Sequence, residues 1–474
     1  MKLSFLRKKH PQFIYQSFSY QLKRNNLIIT FDFRIPPDFK FSPQLKIKNI
    51  DKKRFQKIKK ETLENLIFNL GMVESLSYWK ATLSPKINVE AGYLTKEQIS
   101  WWQDLILKGM GQFFYENKID FTKSNFLKIK SSQKSLNFDG PEKLQLKDRI
   151  LIPLGGGKDS IVTLEILKEA EEEFKIFSLN PTEAIKKIIK IGKEKSPIVI
   201  ERKIDPLLLK LNQKGYLNGH TPFSAYLTFL TALCAVIFDF KYVAFSQERS
   251  SNEGNIKYQG RIINHQYSKS FEFEKKFRDY LEKYLVKGVY SFSFLRPLYE
   301  IQIAKLFSCY PQYFSAFLSC NEAQKTYSGT KRPIQKWCGQ CSKCLFVFTI
   351  LYPFMEEKTL IKIFHKNLFK DQNLLPLMQE LIGIKDFKPF ECVGTKKESK
   401  IAFYLAWKKK KKSGGELPFL LMWFERNIFP REKNWENISK EIMQGFDQNH
   451  FLPKEFERIL KKKLKKPAQT LDKF

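Results

Sequence analysis

Leu151-Ile152-Pro153-Leu154-Gly155-Gly156-Gly157-Lys158-Asp159-Ser160 links a short apolar run to a segment with helical periodicity. Glycines let a backbone turn tightly and approach a ligand with no Cβ in the way. The helix that follows offers free N–H groups and the positive end of its dipole. Lys158 adds a point charge and Ser160 a hydroxyl donor, so the stretch reads as a phosphate cradle on a strand-loop-helix unit. Two common phosphate loops do not fit. A Walker A loop has Ser or Thr where Asp159 stands and an earlier glycine where Ile152 stands; a dinucleotide fingerprint has a third glycine where Ser160 stands.

Outward from the loop, strand and helix alternate. Residues 149–154 form a first apolar strand, and residues 160–173 carry Ile161, Leu164 and Leu167 on one helical face. Residues 174–179 read as a second strand, 182–191 as a helix, 197–204 as a third strand, and 242–246 as a fourth after an apolar helix over 221–238. This pattern predicts a parallel sheet covered on both faces, with ligands at the carboxyl ends of its strands. Further upstream, residues 27–34 read as a strand. Leu63, Leu66, Ile67, Leu70 and Met72 mark a helix interrupted by Gly71, and residues 95–117 a second helix opened by the capping pattern Thr95-Lys96-Glu97-Gln98. The predicted class is α/β: an α+β N-terminal domain over 1–146, a phosphate-binding parallel-sheet domain over 147–355, and a basic, mostly helical C-terminal region over 356–474.

A length of 474 residues suits two or three domains, and 43% apolar residues exclude global disorder. The formal net charge of +34 favours anionic partners, but the lysines are spread along the chain and read mainly as solvated surface. The runs at 408–412 and 461–466 read as solvated helix ends, with a nucleic-acid tail as the alternative. Seven cysteines, an odd number, do not form a disulfide framework. No apolar segment follows the basic residues 1–11, so no signal peptide is expected. Residues 221–238 lack charge but include Pro222, Ser224, Tyr226, Thr228 and Thr231, too polar for a membrane span. The expectation is a soluble cytoplasmic protein of open oligomeric state.

Polar residues crowd the segments 246–255 and 263–270 behind the fourth strand. Glu248 and Glu253 are candidate Mg²⁺ ligands or bases, and Arg249 and Lys269 candidate clamps for carboxylate or phosphate. Asn252, Asn255, Asn264 and Tyr267 are further candidates for holding substrate. His265 and His220, the latter in Asn218-Gly219-His220-Thr221-Pro222, are candidate acid–base groups. Ordinary polar loops and structural histidines are the plain alternatives.

The glycine loop resembles the PP-loop of ATP pyrophosphatases, Ser-Gly-Gly-x-Asp-Ser, with Gly155 in place of the first serine and Gly156, Gly157, Asp159 and Ser160 matching. That resemblance implies ATP cleaved between its α and β phosphates, with Mg²⁺ as counterion and Asp159 as ligand or positioning group. Further segments follow in order: Glu248-Arg249-Ser250-Ser251-Asn252-Glu253-Gly254-Asn255, Asn264-His265-Gln266-Tyr267-Ser268-Lys269-Ser270, Trp337-Cys338-Gly339-Gln340-Cys341-Ser342-Lys343-Cys344 and Phe390-Glu391-Cys392-Val393-Gly394-Thr395. With Ser77-Tyr78-Trp79-Lys80 and Ala91-Gly92 they resemble the UDP-N-acetylmuramoyl-L-alanyl-L-glutamate epimerase family of peptidoglycan synthesis. The resemblance implies adenylation of the terminal glutamate carboxylate of a UDP-linked muramoyl dipeptide. Removal of the now acidic α-proton and its return on the other face would follow, with AMP and pyrophosphate released. The competing reading is a PP-loop enzyme that modifies tRNA or a nucleobase. It is supported by the charge and by the cysteine cluster.

Cys338-x2-Cys341-x2-Cys344, with Cys320 upstream, can surround one ion tetrahedrally. Structural Zn²⁺ is the first choice, an iron–sulfur cluster or free thiols the alternatives. The arrangement also resembles the zinc knuckle of 7-cyano-7-deazaguanine synthase. Cys392 is a candidate thiol at the substrate.

Overall fold

Among the described residues, eleven strands share one sheet. In chain order they are β1 (Gln12–Lys23), β2 (Asn26–Ile35), β3 (Phe39–Phe41), β4 (Gln44–Ile47), β5 (Lys86–Val89), β6 (Lys128–Ser131), β7 (Ile150–Pro153), β8 (Phe174–Leu179), β9 (Ile198–Lys203), β10 (Tyr242–Phe245) and β11 (Tyr290–Ser293). The computed structural model describes residues 2–132 and 140–465. Met1, residues 133–139 and residues 466–474 lie outside the described residues, and with them Lys466 and parts of the first and last predicted regions.

In space the strands run β11-β10-β7-β8-β9-β4-β2-β1-β5-β6, with β3 on β2. The half from β11 to β9 is wholly parallel. Its apolar strands feed both faces: Ile150 and Ile152 pack into one core cluster and Leu151 into the other, as do Ala244 and Val243. That two-sided burial explains why these strands read as runs rather than alternations. β9 then pairs antiparallel with β4, Ile200 opposite Ile47 and Lys203 opposite Gln44, so the N-terminal strands extend the same sheet.

The principal helices are α1 (Lys60–Trp79), α2 (Lys96–Gly109), α3 (Lys158–Glu169), α4 (Phe223–Phe238), α5 (Glu300–Phe307), α6 (Ser342–Leu351) and α7 (Lys396–Ser413). Thr95 and Gln98 form the expected reciprocal cap. Two helix readings need correction. Gly71 does not interrupt α1; it lies inside the helix because a Cβ there would sit 2.0 Å from Tyr15 Oη. The single helix expected over 95–117 is two, α2 and Gly111–Glu116, broken at Met110. A Cβ on Gly109 would meet Pro222 at 2.9 Å and one on Gly111 would meet Ile263 at 3.2 Å, so both glycines serve close packing.

The apolar segment at 221–238 becomes α4, buried among the core residues, and no helix among the described residues is long and apolar enough to cross a membrane. Elements after residue 356 are helical, from Glu357–Phe364 to Lys454–Lys465. The lysine run on α7 is engaged within the chain. Lys408 pairs with Glu436, Lys410 with Glu357 and Lys411 with Glu425, while Lys409 donates to the carbonyls of Tyr352 and Met355.

Candidate active site

Counted from β7, the parallel strands lie in the order 3-2-1-4-5, so connections leave β7 and β10 in opposite directions. A crevice opens at the carboxyl ends of such a pair. The glycine loop leaves β7 there, and the segment containing Glu248 leaves β10. Gly156 adopts φ +86°, and a Cβ would press on Ile185 at 3.1 Å; at Gly155, which is exposed, a Cβ would meet nothing within 4 Å. The loop is thus packed from behind and open at Gly155. Gly157 caps α3 without a side-chain hydrogen bond, which leaves the first N–H groups of the helix to a ligand. Ser160 Oγ donates to the Gly157 carbonyl at 3.1 Å.

Lys158 turns inward. Its ammonium is 2% exposed and contacts carboxylates of Asp159 and Glu300. Burial alone would lower its pKa, but the two carboxylates outweigh it and hold the charge. Asp159, Glu248 and Glu300 bring carboxylate oxygens within 4.8 Å of one another. Glu248 is 4% exposed, with one carboxylate oxygen lacking a hydrogen-bond partner among the described residues. Burial, then Glu300, pushes its pKa up to about 7. At Glu300 burial is overcome by Lys158 and Lys343, which hold it at about 2. Lys343 Nζ lies 3.5 Å from Glu300 Oε1 and donates to the Cys392 carbonyl. An oxygen-only donor set with an orphaned oxygen fits a hard divalent cation such as Mg²⁺.

Beside this cluster, Lys269 Nζ donates to Cys392 Sγ at 3.0 Å, and His265 Nε2 lies 4.0 Å from the same sulfur. His265 Nδ1 faces Gln112 Oε1 at 2.5 Å, and the His220 ring stacks obliquely on His265 at 4.7 Å between centroids. His220 Nδ1 has no hydrogen-bond partner among the described residues. Burial pushes both imidazoles down, His265 to about 3 with help from Lys269, and His220 well below its ordinary value with help from His265. Both rings are therefore neutral at physiological pH, a state in which an imidazole can accept a proton or a hydrogen bond. Lys80, which donates to the Gly219 carbonyl at 2.9 Å, is lowered to about 8 by burial and by Arg202.

A depressed histidine makes stability depend on pH with a definite sign. Below pH 6.5 the unfolded chain takes up a proton that folded His265 refuses, so its contribution falls as pH drops toward 3. The slope is roughly 1.4 kcal/mol per pH unit. In urea unfolding, the wild type is expected to lose ~2 kcal/mol more than His265→Gln between pH 6.5 and 5.0. Equal losses would show that His265 titrates normally.

The other residues expected at the site are engaged in the scaffold. Arg249 pairs with Asp447 at 3.1 Å and lies over Tyr299. Asn252 accepts from Phe271 N, and Asn264 spans Ser251 O and Gln266 N. Asn255 ties Lys388 O and Pro389 O to His265 N. Tyr267 donates to Asp104, and Glu253 pairs with Lys388 at 3.2 Å and accepts from Lys396 N. The structure therefore brings Lys158, Asp159, Glu248, Lys269, His265 and His220 together, and uses the others to shape the loops around them.

Residues not singled out in the sequence complete the cluster: Glu300, Lys343 and, behind them, Arg296 and Glu398. Arg296 is fully buried, pairs with Glu274 at 2.9 Å and donates to the carbonyls of both Glu248 and Lys269 at 2.6 Å. Glu398, raised to about 7 by burial and then Glu300, accepts from Ser250 Oγ and Ile301 N at 2.7 Å and fixes the start of α5, where Glu300 stands. Lys343 lay within the quoted cysteine motif. Nothing in the immediate sequence of Glu300 or Arg296 marks either. The sulfurs of Cys320, Cys338, Cys341 and Cys344 lie within 4.8 Å of one another, as their spacing predicts.

Comparison with known proteins extends these local resemblances along the chain. The profile of the MurL N-terminal domain matches residues 4–294 and that of the MurL C-terminal domain residues 316–422. The chain is 33% identical over 334 residues to the UDP-N-acetyl-alpha-D-muramoyl-L-alanyl-L-glutamate epimerase of Xanthomonas oryzae pv. oryzae, covering 70% of this chain and 72% of that one. It is 34% identical to the enzyme of the same name from a Micromonospora species (73% and 75% covered) and 33% identical to that of Salinispora tropica (73% of each). No solved structure matches. With one domain profile spanning most of the chain and relatives matched over more than two thirds of their length, the chain belongs to the UDP-N-acetyl-alpha-D-muramoyl-L-alanyl-L-glutamate epimerase (MurL) family.

Proposed function

We propose that the chain is a PP-loop enzyme of the cytoplasm that epimerises the terminal L-glutamate of UDP-N-acetylmuramoyl-L-alanyl-L-glutamate to D-glutamate during peptidoglycan precursor synthesis, using ATP. The relatives carry that epimerase name. The observation that carries the ATP-dependent part is the convergence, at one switch point, of an open glycine loop, the Asp159–Glu248–Glu300 carboxylates and the Cys392–Lys269–His265 group. In this reading residues 147–355 supply the ATP-binding unit, flanked by the regions before 147 and after 355.

The chemistry follows from electron demand. A glutamate carboxylate is a poor electron sink, so its α-proton is barely acidic. Attack of that carboxylate on the α-phosphorus of ATP, with pyrophosphate leaving, gives an acyl-adenylate whose neutral carbonyl can accept the carbanion's charge. The N–H groups at the start of α3 hold the phosphates, and buried Lys158 offsets the charge of the carboxylates beside them. Asp159, Glu248 and Glu300 would hold Mg²⁺, whose charge offsets that of the departing pyrophosphate. Neutral His265 and His220 and the Cys392 thiol, kept close to the Lys269 ammonium, supply acceptors and donors for taking the α-proton from one face and returning it to the other. Water then releases AMP.

The test is incubation with ATP, Mg²⁺ and the UDP-muramoyl L-Ala-L-Glu dipeptide, measuring AMP and pyrophosphate and resolving the glutamate enantiomers. Gly156→Asp forces a side chain into a φ +86° position against Ile185 and puts a negative charge beside the phosphates. Asp159→Ala removes one carboxylate. Both are expected to lose AMP formation, and full turnover in both would refute the nucleotide site. AMP release that requires tRNA, with salt-sensitive tRNA binding, would favour the RNA-modifying reading instead.

A further inference from the structure

The reaction proposed above uses none of the thiols at positions 320, 338, 341 and 344, yet the fold gathers them from two separate segments. Cys320 Sγ and Cys341 Sγ are 3.8 Å apart, and Cys338 Sγ and Cys344 Sγ 3.7 Å. Thiolates bound at about 2.3 Å to a tetrahedral ion lie about 3.8 Å from each other, while a disulfide would need about 2.05 Å. Backbone N–H groups point at these sulfurs: Gly339 N at Cys344, Gln340 N at Cys338 and Cys344 N at Cys341, each at 3.4 Å. Gly339 makes the turn with φ +68°. Donors aimed at sulfur favour the thiolate form that a soft or borderline cation needs.

The position of the cluster suggests its task. Two residues before Cys320, Leu318 N donates to the Gly156 carbonyl at 2.9 Å, and Ser319 stands 3.3 Å from where a Gly157 Cβ would be. Cys341 caps α6, and between it and Cys344 projects Lys343, which reaches Glu300. One ion at the four sulfurs would therefore fasten the back of the phosphate loop and the lysine that neutralises the carboxylates to the same point. We propose that these four thiolates hold a single zinc ion, and that the ion braces the phosphate loop without touching the reacting atoms. The bracing half of this proposal rests on the ATP reading; the zinc half does not.

The experiment uses the full chain purified without chelator. About one zinc per chain is expected by elemental analysis, together with the intense visible absorption of a tetrahedral thiolate site after exchange with cobalt. Cys320→Ser and Cys338→Ser are expected to lose the metal, whereas Cys309→Ser, a free thiol outside the cluster, retains it. Because the serine variants could misfold, cobalt exchange in the wild type is the deciding measurement. No zinc and no cobalt spectrum, or an iron–sulfur chromophore, overturns the site. For the bracing, ATP affinity measured calorimetrically is expected to weaken at least ~10-fold when zinc is stripped and to return on reloading. Unchanged ATP affinity in the stripped protein overturns the bracing and leaves the zinc site. A zinc-loaded protein that does not bind ATP overturns the nucleotide reading and the bracing with it, while the metal content still stands.

Discussion

Lys158→Met is expected to reduce AMP formation by a factor of 10³ or more, on the order of 4 kcal/mol in the barrier to adenylation. The ammonium is 2% exposed and sits between Asp159 and Glu300. Glu300 stays ionised only because Lys158 and Lys343 outweigh its burial. Without Lys158 the carboxylates repel one another and the incoming phosphates, and breaking such a buried pair costs roughly 3–5 kcal/mol of stability as well. The two effects can be separated. In the double variant Lys158→Met/Glu300→Gln the unpaired buried charge is gone, so stability in urea should largely return while AMP formation stays low. Single-turnover AMP formation within tenfold of wild type in Lys158→Met would show that the lysine serves the fold alone.

Arg296→Leu should be the most destabilising change outside the cluster itself, by roughly 3–5 kcal/mol. The guanidinium is fully buried, and its removal takes the ion-pair partner from Glu274, which is 7% exposed, and leaves the carbonyls of Glu248 and Lys269 to share the single hydroxyl of Ser251. Arg296→Lys should recover only part of the loss, because one ammonium cannot span Glu274 and both carbonyls as the planar fork does. Urea unfolding measures this directly. A loss under about 1 kcal/mol for the leucine variant would contradict the network, since a removed partner at a buried charge costs more than that.

The half of the fold around the glycine loop was legible because its strands are short apolar runs bounded by Gly, Pro and charged residues, with both faces buried. Residues 174–179 coincide with β8, and the other predicted strands there shift by a residue or two. β1 escaped notice because a register shift between Tyr15 and Ser17 spoils its alternation. β11 is only four residues long and gains its meaning from β10 beside it. Nor does any local pattern announce that β4 will pair with β9, which lies far along the chain.

At the site the same contrast holds. Contiguous motifs were readable as words, and their order pointed to the family that the comparisons show. Glu300, Arg296 and Glu398 act through neighbours distant in sequence, so their residue types carried no signal until the fold placed them. Asn252, Asn255 and Asn264 show the converse. Their polarity suggested ligand contact, while their side chains are occupied with backbone groups that shape the loops.

The seam between β4 and β9 has a consequence for synthesis on the ribosome. Gln44 pairs with Lys203, so one edge of the first-made sheet stays bare until some 150 further residues have emerged, about 8–30 s at ordinary elongation rates of roughly 5–20 residues per second. During that interval the nascent chain presents a strand edge with free N–H and C=O groups, the kind of surface that recruits another unfinished chain. Translation speed and chaperone cover over residues 48–203 thus bear on the yield of this protein.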